Sequence, residues 1–303
     1  MIRNSFSQHL FQFRSVEKKK LLISLTITST VMILEIIGGL ITNSIALLSD
    51  AGHMFTHSFA IGISLLAIFI ARKPPCHHKT FGLFRAEVLA AFINGLFLLP
   101  IVGIIVYEAI LRFINPEEVF GFYMFIIALI GLSVNITSVI ILRGSQDKNL
   151  NVKSVFYHMI ADAASSIGIV IASIIIYYTG LNILDPLVSL GISVLILYWA
   201  WSVLRESTRI LLEMTPKGMN IDIISEELKE NFKEIIDLYN VHLWTITPDM
   251  LVFSAYIKVD DKNLNNNQGS LVSKINNYLI EKYNVIESTL QLISINDPEF
   301  CKV

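Results

Sequence analysis

Two long stretches free of Lys and Arg constrain this chain more than any other feature: neither residue occurs between Lys20 and Arg72, nor between Lys153 and Arg205. A bilayer has a hydrocarbon core about 30 Å thick, which a helix rising about 1.5 Å per residue crosses in about 20 mostly apolar residues. Each stretch therefore has room for two spans and a short turn. Over all 303 residues, 53% are hydrophobic and 16% charged, against about a quarter charged in a soluble domain. A wholly soluble enzyme and a disordered chain are both excluded. The net charge of −2 argues against nucleic acid as a partner, because binding phosphates takes a basic surface. Cys76 and Cys301 are too few and too far apart for a disulfide scaffold or a cysteine-based zinc site.

Apolar runs of sufficient length fall at about 21–41, 45–70, 87–112, 120–142, 155–179 and 183–204. The expectation is an all-α bundle of six transmembrane helices. Arg14 and Lys18 to Lys20 precede the first run, Arg72, Lys73, Lys79 and Arg85 separate the second from the third, and Arg143, Lys148 and Lys153 separate the fourth from the fifth. The opposite connections, about 42–44, 113–119 and 180–182, contain no Lys or Arg, with Arg112 bordering one of them. The positive-inside rule then puts both termini in the cytoplasm. No small-residue cleavage site follows a short apolar core near the start, so the first run reads as a retained helix. Beyond about residue 212 the chain turns polar, which divides it into a transmembrane domain, 1–212, and a cytoplasmic domain, 213–303. Residues 220–236 and 270–283 have helical periodicity, whereas 240–247, 251–259 and 287–295 read as strands. That αββαβ order describes a small α+β domain, with the turn Pro248-Asp249 between two strands and a surface loop at Asn263 to Asn267.

An ionisable residue at membrane depth costs a few kcal/mol, so each needs a reason. The second run carries Asp50, His53 and His57 in SDAGHMFTH, and the fifth carries His158 and Asp162 in YHMIADAASS. An i, i+4 pair stacks two side chains on one face of a helix, about 6 Å apart along the axis. Two such helices side by side bring His53, His57, His158 and Asp162 together, the tetrahedral nitrogen and oxygen set that zinc prefers. One buried histidine is commonly a packing group hydrogen-bonded to a neighbouring helix, but two spaced pairs are costly to bury for packing alone. A zinc protease helix would need Glu after the first histidine, where Met54 stands. Four protein donors would also leave no open position for a reactive water. Asp50 lies two turns from His57 and so serves as a neighbour of the ligands, a proton relay or a helix-start group. Glu35 and Asn135 read as interhelical hydrogen-bond partners. Cys76, His77 and His78 read as a solvated loop rather than a metal cluster.

ILEIIGGLITNSIALLSDAGHMFTH, TFGLFRAEVLAAFING, YEAILRFINPEEV and YHMIADAASSIGIVIA, with LLEMTP and VHLWTI further on, resemble the cation diffusion facilitator (CDF) family, in particular its zinc-exporting branch, over essentially the whole chain. The resemblance implies a homodimer with a ferredoxin-like cytoplasmic domain, exporting Zn²⁺ in exchange for protons, with no cofactor beyond the transported ion. It matches His53, His158 and Asp162 to the family's ligands as they stand. His57 occupies a position where the family usually has Asp, so three neutral imidazoles and one carboxylate leave a bound Zn²⁺ with one uncompensated positive charge. Asp50, a turn away, is a candidate to offset it. In the tail His242 is kept, but Tyr239, Tyr256 and Glu287 stand where histidines are common in the family, which points to dimerisation rather than zinc binding. Short loops and a compact tail point to the bacterial inner (cytoplasmic) membrane. Other readings are a metal sensor, a transport-silent partner in a hetero-oligomer, or a transporter for Co²⁺, Cd²⁺ or Fe²⁺. Mn²⁺ suits imidazole ligands less well.

Overall fold

The structure is a computed structural model and describes residues 25–71, 77–78, 82–142, 150–247, 250–261 and 268–296. The described residues sort into two compact units, one within Met1–Leu66 and Ile93–Leu204, the other within Ala67–Phe92 and Arg205–Val303.

The first unit is helical. Its helices are α1 (Leu25–Thr42), α2 (Ile45–Ala71), α3 (Ala86–Ile114), α4 (Gly121–Leu142), α5 (Leu150–Thr179) and α6 (Leu184–Leu211), the ends of α2, α3 and α6 running on into the second unit. Among the described residues, four stretches are long and apolar enough to cross a membrane: Leu25–Thr42, Ala86–Ile114, Asp162–Thr179 and Leu184–Leu211. The expected runs at 45–70 and 120–142 are the helices α2 and α4. A buried core of Ala46, Leu47, Val102, Met124, Ile169 and Ile196, with others, joins α2 through α6.

Three of the connections between helices lie close together at one end. Asn43 adopts φ 54°, the left-handed conformation that stops α1. Its side-chain amide donates to Glu117 Oε2 at 3.0 Å and to the Glu118 carbonyl at 3.1 Å. Arg112 Nη1 donates to the Asn43 carbonyl at 2.6 Å, and Asn182 Oδ1 accepts from the Val119 amide at 3.4 Å. The three connections lacking Lys and Arg therefore share one end of the bundle, as the charge pattern requires, and Arg112 is spent on holding them together. A Cβ on Gly121 would sit 2.8 Å from the Tyr177 backbone nitrogen, so the start of α4 packs backbone to backbone on α5.

The second unit contains α7 (Ile221–Asn231), β1 (Ile235–Thr247), β2 (Met250–Val259), α8 (Gln268–Tyr283) and β3 (Val285–Ser294). The sheet has order β1-β2-β3, antiparallel between β1 and β2 and parallel between β2 and β3. Ile224 and Leu228 of α7, and Leu271, Ile275 and Leu279 of α8, recur every four residues and join Phe253, Ile257 and Val259 in one core. The αββαβ order is as expected, with one correction. Helical periodicity over 220–236 overshoots, because α7 ends at Asn231 and Ile235 already pairs with Val259. Strand pairing of two β-branched residues outweighs the helical spacing there. The register breaks again between Tyr239 and His242, where Asn240 has φ 47°. Pro248-Asp249 and Asn263 to Asn267 lie outside the described residues.

Candidate metal site

The start of α2 is pinned by a side chain from α6. Asp185 accepts from Ser44 Oγ at 2.5 Å and from the Ile45 and Ala46 amides at 2.8 and 3.2 Å. The first amides of a helix lack intrahelical partners, and here a buried carboxylate supplies them. One turn further, Ser49 and Ser189 share a hydrogen bond of 2.5 Å. Both contacts tie α2 to α6 and so fix the rotation of α2, which decides where its polar face points.

That face meets α5. His53 Nε2 lies 3.2 Å from Asp162 Oδ1, with the two residues 9% and 6% exposed. The two helices run in opposite directions, since α2 begins and α5 ends at the bundle end where the turns gather. Stepping from His53 to His57 and from Asp162 back to His158 therefore moves along both helices in the same direction. The backbone register sets the two remaining candidate ligands at one level, a turn away from the His53–Asp162 contact. The side chains of His57 and His158 lie outside the described residues. Among the described residues no three His, Cys, Asp or Glu side chains gather around one point, and the two donors of the candidate set that are described stand in contact.

Asp50 is buried beside α5. Its Oδ1 accepts from Ser165 Oγ at 3.0 Å and its Oδ2 from Ser166 Oγ at 3.3 Å. Each of those hydroxyls also reaches the Asp162 carbonyl, at 2.8 and 3.0 Å. A hydroxyl has one proton, so each serine serves the Asp50 carboxylate or the Asp162 backbone at any moment. Asn135 of α4 donates to Ser166 Oγ at 3.1 Å, the interhelical role expected of it. Glu35 was expected to play the same part, but its Oε2 is buried without a hydrogen-bond partner among the described residues. Its other oxygen lies over Gly131, where a Cβ would come within 2.5 Å of it.

Sequence reasoning passed over Asp185, although it is an ionisable residue inside a Lys- and Arg-free stretch and the rule applied to Asp50 would have found it. His77 and His78 are exposed in a turn, and Cys76 and Cys301 lie outside the described residues. In the second unit Tyr239 and Tyr256 are direct cross-strand partners and Lys258 Nζ stands 5.7 Å from the Tyr239 ring. His242 is exposed opposite Ser254, and Glu287 is exposed on β3.

A family profile described as a cation efflux transmembrane domain matches residues 21–212. A protein of Yersinia pestis named zinc transporter ZitB is 40% identical over 277 residues, covering 90% of this chain and 87% of its own length. The protein of the same name from Escherichia coli is 36% identical over 277 residues, with coverage of 90% and 87%. A Bacillus subtilis protein named cadmium, cobalt and zinc/H(+)-K(+) antiporter is 38% identical over 277 residues, with coverage of 91% and 88%.

Proposed function

The chain belongs to the cation efflux, or cation diffusion facilitator, family, and from that premise we propose that it is a secondary transporter exporting Zn²⁺ from the cytoplasm in exchange for protons. The observation that carries the reading is the contact of His53 with Asp162 across α2 and α5, each with a histidine one turn away in the same direction. His53, His57, His158 and Asp162 are the proposed ligands. The names of the relatives support Zn²⁺ as cargo, with Cd²⁺ and Co²⁺ next.

In this reading α1 to α6 all span the bilayer. Its hydrocarbon is matched by side chains such as Ile33, Ile104, Ile140 and Val194, all exposed on the bundle. Phe122, Tyr177 and Tyr178 make tilted and edge-to-face ring contacts at the end where the turns gather, in keeping with an aromatic belt at one interface. The basic connections put the other end, both termini and the 213–303 domain on the cytoplasmic side of the inner membrane. The tail's parallel β2–β3 pair with its helix between supports a ferredoxin-like module, whose task is pairing two copies of the chain.

The cycle is alternating access of one buried site to either side. Imidazoles, with an ordinary pKa of about 6.5, give up protons to bind Zn²⁺ at cytoplasmic pH and regain them on a more acidic outer side, which expels the ion. Zn²⁺ binding to the purified full-length protein tests the site. His53→Ala and Asp162→Ala should each weaken binding by at least tenfold, and unchanged affinity in both would remove the site from α2 and α5.

A further inference from the structure

We propose that Glu35 is a proton-binding site distinct from the four metal donors and coupled to them through the Asp50 side of the bundle, so that one exchanged proton rides on α1. The proposal rests on the transport reading above and adds a second group to its proton chemistry. Glu35 is 1% exposed in the middle of α1, and its Oε2 has no hydrogen-bond partner among the described residues. A carboxyl placed so in a membrane interior needs either a cation or a proton. No Lys or Arg lies in α1, and none of the described ion pairs includes Glu35. The protein nevertheless makes room for it: Gly131 of α4 stands where any larger residue would put a Cβ 2.5 Å from Oε1.

The position connects to the metal site by a short route. Gly131 and Asn135 are one turn apart on the same face of α4. Asn135 holds Ser166, and Ser166 reaches Asp50 at 3.3 Å and the Asp162 carbonyl at 3.0 Å. Among the described residues, the charges that act on Glu35 through space are those of Asp50 of α2 and Asp162 of α5, and α4 contributes no charged residue. A divalent cation bound against Asp162 therefore acts on Glu35 through the field of the same anions. As the cation enters, the Glu35 acid releases its proton to water and becomes a carboxylate. When the proton returns, the cation is driven off, because the two effects are one coupling free energy read from either side. The proton changes place and no bond other than its O–H is broken.

Two measurements on the full-length protein in lipid nanodiscs test this. The first counts protons released per Zn²⁺ bound, with a pH dye in weak buffer. Glu35→Gln should still bind Zn²⁺, release about one proton fewer per ion, and show an affinity whose pH dependence is shallower by up to about tenfold per pH unit. Glu35→Asp should restore part of both. Asp162→Ala, which weakens Zn²⁺ binding at least tenfold if the transport site is right, separates failure of that reading from failure of this one. An equal proton count in Glu35→Gln and wild type overturns the proposal. The second measurement needs no variant and no metal: infrared difference spectra against pH, with glutamate carbon-13 labelling. A protonated-carboxyl band that shifts with the label and persists at neutral pH, where exposed glutamates are ionised, is expected in wild type. Its absence overturns the proposal even if Glu35→Gln fails to fold.

Discussion

Asp162 reaches His53 with its side chain and two serines with its backbone carbonyl, so one residue joins the proposed ligand set to the Asp50 network. Loss of the side chain alone should spare the backbone half of that arrangement. Asp162→Ala is therefore expected to elute as a folded protein from size exclusion while losing Zn²⁺ binding. Asp50→Asn keeps acceptor capacity for Ser165 and Ser166 at one atom but removes the negative charge nearest the site. It should weaken Zn²⁺ binding by about tenfold, corresponding to about 1.4 kcal/mol, and an unchanged competition titration would dismiss a charge-offsetting role. Gly131→Ala should displace Glu35 and lower thermal stability, at a cost of about 1–3 kcal/mol typical of overpacking, read as a fall in the unfolding midpoint. His53 and Asp162 were legible in the sequence because i, i+4 spacing is a property of any helix. Asp50's serine partners were not, since they come from α5 and need the rotation of two helices to be known.

At the scale of elements, the site depends on α2 being held in one rotation, and that hold comes from α6. Asp185 supplies three acceptor contacts to the first turn of α2. Replacing a helix cap with Ala costs about 0.5–2 kcal/mol in ordinary cases; with Asp185 fully buried, Asp185→Ala should lie at or above the upper end. Zn²⁺ affinity should fall with it, although Asp185 is not in the proposed ligand set, and Asp185→Asn should recover part of the loss. A calorimetric midpoint unchanged in Asp185→Ala would show that the cap does not hold α2. Most helix ends were readable to within a few residues, because apolar run length and basic flanks are local signals, whereas α5 starts five residues before its apolar run and α6 ends seven residues after it. The start of β1 was misread for the opposite reason: Ile235 and Asp237 pair with Val259 and Lys258, residues more than twenty positions away that no local window includes.

Across the whole molecule, the tail has its own pH response. Glu227 of α7 is bonded to Lys282, Tyr278 and Tyr283 of α8. The Lys282 and Tyr283 hydrogen bonds hold the Glu227 carboxyl below its usual range and raise the Lys282 ammonium, while burial and the Glu227 bond push Tyr283 up to about 12. A lowered carboxyl pKa contributes stability that is present above the unfolded value and lost as pH falls through the folded one. The clamp should thus loosen only in acid, below the ordinary glutamate value, and by a small amount because water and salt screen it. Glu227→Gln should flatten the acid side of the tail's unfolding profile and leave neutral-pH Zn²⁺ binding unchanged. The central claim concerns the bundle, and the most direct test is Zn²⁺ flux into proteoliposomes under a pH gradient, with zinc and pH dyes read together for wild type, His57→Asp and Asp162→Ala. Zn²⁺ entry opposed by proton movement in the wild type, and its loss in Asp162→Ala, is the result expected. A silent wild type, or full flux in Asp162→Ala, would contradict a proton-coupled zinc exporter built on His53, His57, His158 and Asp162.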